Sequence, residues 1–212
     1  MSDLIPLKNF KLIPVIELEP GKFSDSGRES PSAQFGDEEW SRYWFDSLAD
    51  SGIVGLQPIR FGAWYVATTG FAAGANLQIF LQRTFEEWGG SECLTDPDCR
   101  PVLNGGLVLQ SAESEILIVP ACCSDLGDIR NWESATTFRG DGWQVLWIGH
   151  PCISVRYQAP RLILSGQHES SEPIGRWSVC PEELSTAISR AERLLSDFAD
   201  RIADVLLSLS IP

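Results

Sequence analysis

The chain has 212 residues, 43% of them hydrophobic and 21% charged, with 29 acidic against 16 basic side chains and a formal net charge of −13. That length can bury a full core, as one large domain or two small ones, and the composition is that of a globular chain, not a disordered or fibrous one. The charge speaks against nucleic acid and anionic lipid as partners, because both must be neutralised by Lys and Arg.

Acids and bases divide 15 to 8 over the first hundred residues and 14 to 8 over the remainder, so no tail carries the charge. An acidic surface attracts a basic partner and speeds the encounter. It also aids solubility whatever the function. The opening MSDLIPLKNFKLIPVIELEP lacks a basic stretch followed by roughly 7–15 uninterrupted apolar residues, so no signal peptide is expected. No apolar run approaches the about 20 residues of a membrane span. The expected location is the cytoplasm, where the six cysteines stay reduced.

In chain order, KLIPVIELE (11–19) is β-rich and roughly alternating, which predicts a strand. A Pro/Gly/Ser loop follows to Gly36. Asp37 is placed to cap a helix in which Trp40, Tyr43, Trp44 and Leu48 share one stripe, and Gly52 ends it. Short strands are expected at 53–59 and 63–69. Leu77, Phe80, Leu81, Phe85 and Trp88 have helical spacing over 75–90, closed by Gly89 and Gly90. Residues 106–110 and 114–120 read as a hairpin. A short helix is expected after Cys123, then strands at 142–150, 153–157 and 161–166.

From Pro181 the pattern is one long helix. Pro181, Glu182 and Glu183 suit its first turn. Leu184, Ile188, Ala191, Leu195, Phe198, Ile202 and Val205 recur at spacings of 4 and 3. Such a stripe packs on a sheet or forms a coiled-coil seam between two chains. Leu194, Leu206 and Leu207 widen it, which favours the sheet. The fold class expected is α+β. It is one domain over residues 1–212, with a mainly antiparallel or mixed sheet, several short helices and the C-terminal helix on the sheet.

Enzyme motifs are sparse. There is no phosphate-binding G-x-x-x-x-G-K-[ST], no G-x-G-x-x-G, no G-x-S-x-G, no H-E-x-x-H and no C-x-x-C. Any histidine chemistry must use His150 or His168. His168 is read as an exposed loop residue, and His150 as a strand-end residue more at home in a corner than in catalysis.

The double cysteine Cys122–Cys123 is the least ordinary feature. A zinc site would recruit Cys122, Cys123, His150 and Cys152. Adjacent cysteines diverge in extended backbone, however, and zinc ligands are usually spaced by two to four residues. No metal and no cofactor is expected. A reactive thiol gains from the helix start that follows, but Asp125 and Asp128 oppose a thiolate. A thiol hydrolase with Cys123 as nucleophile and His150 as base is the enzymatic alternative. The simplest reading is an architectural corner, with one cysteine turned inward, covered by Trp132 and presenting Asp125, Asp128 and Glu133. Cys180 faces a similar acidic helix start. Cys93 and Cys99 are expected as free thiols.

Two further clusters join acids to tryptophan. Asp37, Glu38 and Glu39 open the helix that carries Trp40 and Trp44, and Glu86 and Glu87 stand beside Trp88. Aromatic anchors within an acidic rim suit a protein interface. Solvated helix ends over a tryptophan core are the competing explanation.

One pattern carries a resemblance. NGGLVLQ, then ILIVPACCSDLGDIRNWE, then WQVLWIGHP is similar to a group of uncharacterised bacterial proteins with a Gly-Gly strand, a CCxDLxxxxxW corner and an IGHP strand end. The residues are Gly105, Gly106, Cys122, Cys123, Asp125, Leu126, Trp132, Gly149, His150 and Pro151, within about residues 104–151. More loosely the chain resembles SUKH-type immunity proteins of bacterial toxin systems. That resemblance implies an intracellular, non-enzymatic α+β protein that binds and neutralises a cognate toxin, often a nuclease, and the acidic charge of this chain suits a basic one. The expectation is therefore an acidic protein-binding module, with a homodimer through the C-terminal helix as a further alternative.

Overall fold

The computed structural model describes residues 4–25, 27–32, 36–71, 74–90 and 102–209. Its backbone clusters into two units, one of residues 1–15 and 104–195, the other of 16–103 and 196–212. Strand β2 (Lys11–Glu17) and helix α4 (Pro181–Ser208) each run through both. The expected α+β class is what the structure has, with two sheets and a long C-terminal helix on a sheet.

The first unit is built on a five-stranded sheet. Strands β6 (Gln144–Leu146), β7 (Ile153–Gln158), β8 (Arg161–Ser165) and β9 (Gly175–Val179) pair antiparallel in turn. Strand β1 (Ile5–Pro6) adds to β9 in parallel, so the sheet is mixed. Alternation along β8 sends Leu162 and Leu164 inward, each fully buried. Their layer also holds Ile153, Val155 and Val179, with Trp132 from helix α3 (Ile129–Thr137). Leu184, Ile188 and Ala191 of α4 close the same core.

A second sheet places strand β4 (Gly105–Gln110) between β2 and strand β5 (Ile116–Ile118). Residues 105–109 are all buried, a run typical of a strand covered on both faces.

The second unit is organised by aromatic packing. Helix α1 (Asp37–Asp50) buries Trp44 and Leu48, and the Trp44 indole donates to the Leu18 carbonyl at 2.9 Å. Strand β3 (Tyr65–Ala67) buries Val66, and helix α2 (Gly74–Glu87) buries Leu77, Phe80, Leu81 and Phe85. Phe71 lies between Phe80 and Phe198, at 5.5 and 5.9 Å between ring centroids. Helix α1 ends as expected. Gly52, at φ +84°, lets Ile53 N–H reach back to the Leu48 carbonyl.

Several expectations are corrected. Residues 53–59 form no strand. Gly55 at φ +75° breaks the extended run, and the Asn76 side chain bonds both N–H and C=O of Val54, doing what a neighbouring strand would do. The strands expected at 63–69, 114–120 and 142–150 shorten to Tyr65–Ala67, Ile116–Ile118 and Gln144–Leu146. Asp37 is the first helical residue and not the cap, which is Gly36. Arg28 holds part of the Pro20–Gly36 loop to α1, at 2.6 Å from Asp50 and 3.3 Å from Asp46. Strands β1 and β9 were not expected at all. Cys93 and Cys99 lie outside the described residues. Among the described residues no helix is long and apolar enough to cross a membrane.

Phe198 is buried among rings of its own unit. Phe198→Ala is therefore expected to cost about 3–5 kcal/mol, as a large-to-small core change. The denaturation midpoint reads it. An unchanged midpoint, with a dimer falling to monomers, would instead mark the stripe as a seam between chains.

Candidate functional site

Charge is not shared evenly between the two units. The second contains 17 acidic and seven basic residues, against 12 and nine in the first, so −10 of the −13 lies there. A count over the two halves of the chain does not show this division, because the halves do not coincide with the units; the stretch 16–103 alone holds 14 acidic and six basic residues.

The first turn of α1 concentrates Asp37, Glu38 and Glu39 at the positive end of the helix dipole. Residues 60–63 turn against it. Gly62, at φ +76°, donates its N–H to Ser41 Oγ at 3.1 Å and lies under the Asp37 side chain, where a Cβ would come within 3.1 Å of the carboxyl carbon. The turn brings Trp64 to Trp40, with ring centroids 6.0 Å apart, while Tyr43 meets Trp40 edge-on at 5.9 Å. All three rings are half-buried, and Phe61 on the same turn is 60% exposed. Of the three acids, Glu38 makes an exposed contact with Arg42 at 3.5 Å, and that is the only ion pair among them within the described residues. Three partly open aromatic rings thus lie beside two exposed carboxylates, Asp37 and Glu38, and a half-buried one, Glu39. Trp64 and Phe61 are members that the sequence reading missed. No spacing rule links residue 40 to residue 64.

The second cluster is differently placed. Glu87 pairs with Lys22 at 2.8 Å and Glu86 with Arg83 at 3.2 Å, while Trp88 packs edge-on against Phe85 at 5.8 Å. Glu87 thus ties α2 to the segment of Lys22, while Glu86 pairs within its own helix.

Asp125 and Asp128 belong to the double-cysteine corner of the first unit. Asp125 caps the 3-10 turn Leu126–Asp128 by accepting from Gly127 N–H, and Asp128 accepts in return from Asp125 N–H at 3.2 Å. Ser124 Oγ and Asn131 Nδ2 donate to Asp128 at 2.8 and 2.9 Å. Burial pushes the Asp128 carboxyl up, and these hydrogen bonds oppose the shift. Both acids are committed to the turn.

The cysteines do not behave as strand alternation suggests. Both are exposed, and Ser124 is the buried residue. Cys123 takes φ +66°, which reverses the chain and removes the alternation. Cys122, not Cys123, pairs across from His150, with His150 N–H bonded to the Cys122 carbonyl at 3.0 Å. The Cys122 thiol donates to the His150 carbonyl at 3.2 Å, and the His150 ring stands edge-on to Trp147 at 4.5 Å.

His168 is half-buried, not exposed. Its backbone bridges to Cys152, and its Nε2 is 2.9 Å from Ser154 Oγ. The Cys152 thiol meets the His168 carbonyl at 3.4 Å, so the side chains of Cys122, His150 and Cys152 do not converge on a point. Among the described residues no three His, Cys, Asp or Glu side chains gather as a metal site would require. The Cys180 thiol is bonded to Glu182 at 2.7 Å.

The chain matches no family model, and no curated protein or solved structure is significantly similar to it.

Two outcomes follow from the corner and its neighbours. Asp125→Ala removes a capping side chain and should lower stability by about 0.5–2 kcal/mol, read by denaturant titration. Partial desolvation, followed by a hydrogen bond and repulsion from Glu192, raises the Glu133 carboxyl above its ordinary value. A raised carboxyl binds its proton more tightly when folded. Its stabilisation is complete below the ordinary value of 4.5 and is lost as pH rises through the folded value. Glu133→Gln should therefore raise the melting temperature at pH 7 and leave it near wild type at about pH 4.

Proposed function

We propose that this is a protein-binding module whose partner carries a basic surface, and that the α1 face of Asp37, Glu38, Glu39, Trp40, Tyr43, Trp64 and Phe61 is its contact. The observation that carries the reading is the meeting of half-exposed aromatic rings with exposed carboxylates in the unit that holds most of the charge. Such rings bury large area at little entropic cost and act as anchors, while the surrounding charge governs encounter rate and selects the partner. Asp125, Asp128, Glu86 and Glu87 have structural partners and contribute at most to the general field.

In its specific form the partner is a basic toxin and the chain its cytoplasmic immunity protein. The looser resemblance to SUKH-type immunity proteins and the excess of acids support this form. Immunity by binding needs no catalytic group, only a surface that covers the toxin.

The test uses the product of the neighbouring gene as partner. Reversing Asp37, Glu38 and Glu39 to lysine should leave the fold intact, slow association at least about tenfold at low salt and flatten its salt dependence, since exposed charges are screened over about 8–10 Å. Trp40→Ala should speed dissociation. An unchanged association rate and salt slope in the triple variant would remove this face from the interface.

A further inference from the structure

Away from α1, and independent of the reading above, the first unit contains an open groove of about 980 Å³. One bank is the paired β1–β9 edge, residues 5–9 and 174–177. The other is the turn and strand 111–117. Both banks are edges. β1 ends the five-stranded sheet and β5 ends the four-stranded one. Open strand edges are places where chains associate unless something covers them.

The groove is apolar along its length and charged along its rims. Leu7 and Trp177 are nearly buried within it, and Leu117 is half-buried. Ile5 and Ile174 rise from the first bank at 56% and 68% exposure. Lys8 and Arg176 stand on that bank, and Glu113 and Glu115 stand on the other. All four are exposed, and none makes an ion pair among the described residues.

Each bank is held in shape. Arg161 Nη2 donates to the Ser178 carbonyl at 2.8 Å and the Leu7 carbonyl at 3.5 Å, which fixes β1 on β9. Ser111 Oγ accepts from the N–H groups of Glu113 and Glu115, each at 3.2 Å, and Ser111 N–H bonds to the Glu115 carbonyl at 2.8 Å. Little ordering is left to be done on association.

We infer that this groove is a self-association surface, and that its occupant is a second copy of the chain related by a two-fold axis. In a two-fold contact the same patch faces itself, so each residue pair occurs twice. A face that is apolar at its centre, cationic on one bank and anionic on the other is complementary to itself after that rotation. Lys8 and Arg176 of one copy meet Glu113 and Glu115 of the other, and Ile5 and Ile174 of each enter the opposite groove. A foreign segment would need both signs of charge in matching register, and a second copy supplies them by symmetry. The dimer so formed leaves the apolar stripe of α4 in the core.

Sedimentation of the full chain tests this. The wild-type chain should be dimeric. Glu113→Lys with Glu115→Lys makes both banks cationic, and Lys8→Glu with Arg176→Glu makes both anionic. Each double variant should be monomeric where the wild type is dimeric, with the dissociation constant raised at least about tenfold. An equimolar mixture of the two should reassociate, and the chain carrying all four changes should dimerise again. All four side chains are exposed, so each variant should fold with wild-type secondary structure by circular dichroism, its melting temperature falling only by what dimerisation adds. Should a double variant fail to fold, Ile174→Glu on the rim serves in its place and should also give monomers. A wild-type chain that is monomeric up to about 100 μM, a dimer that survives the reversals, or a mixture that does not reassociate would each overturn the inference.

Discussion

At one corner of the first unit two stretches of backbone approach so closely that no side chain fits between them. Gly149, at φ +95°, lies beneath the carbonyls of Ala121 and Cys122, and a Cβ there would run into both. Gly106, at φ +141°, lies beneath Pro120 and Ser124, where a Cβ would come within 2.7 Å of Ser124 Oγ. These two contacts let segment 120–124 cross over the start of β4 and the end of the 142–150 segment. The crossing sets where the Asp125–Asp128 turn begins, and so where α3 delivers Trp132 to the core. A glycine is required at both places, since only glycine combines a positive φ with the absence of a Cβ.

The cysteines follow from the same constraint. With Cys123 in the left-handed region, the chain turns outward and then buries Ser124, whose hydroxyl donates to the Asp128 carboxylate. The Gly-Gly, double-cysteine and Gly-His-Pro stretches come together as one corner, separated by up to some 45 positions in the chain but neighbours in space. Backbone packing and capping account for their association.

The acidic side chains sort in a comparable way by what surrounds them. Asp50 is drawn below the ordinary carboxylate range, first by its hydrogen bond from Arg28 and then by the Asp25 N–H, and anchors a loop. Asp128 is half-buried within a turn, and Glu87 is paired with Lys22. Asp37 and Glu38 remain exposed beside aromatic rings, and so does the Glu113–Glu115 bank of the groove. Net charge alone distinguishes none of these roles. A carboxylate whose lone pairs are taken by neighbouring donors has less to offer a partner than one facing water.

Elements whose signal is local were legible in the amino-acid order. Helical spacing marked α1, α2 and α4, with terminal glycines for the first two and Pro181 for the third, and rough alternation marked β2. The amino-acid order also determined that the two adjacent cysteines are poorly spaced for zinc. What it left open depends on partners distant in the chain. Strand β1 has two residues and exists only because β9 lies beside it, so it has no period to detect. Residues 53–59 look extended, yet the Asn76 amide took the place of a strand. Trp64 joined Trp40 through a turn held by Ser41, which no spacing rule could show. Local periodicity reports which face of a segment is apolar. Which segments share that face is settled by packing between residues far apart, and only the tertiary structure decides it.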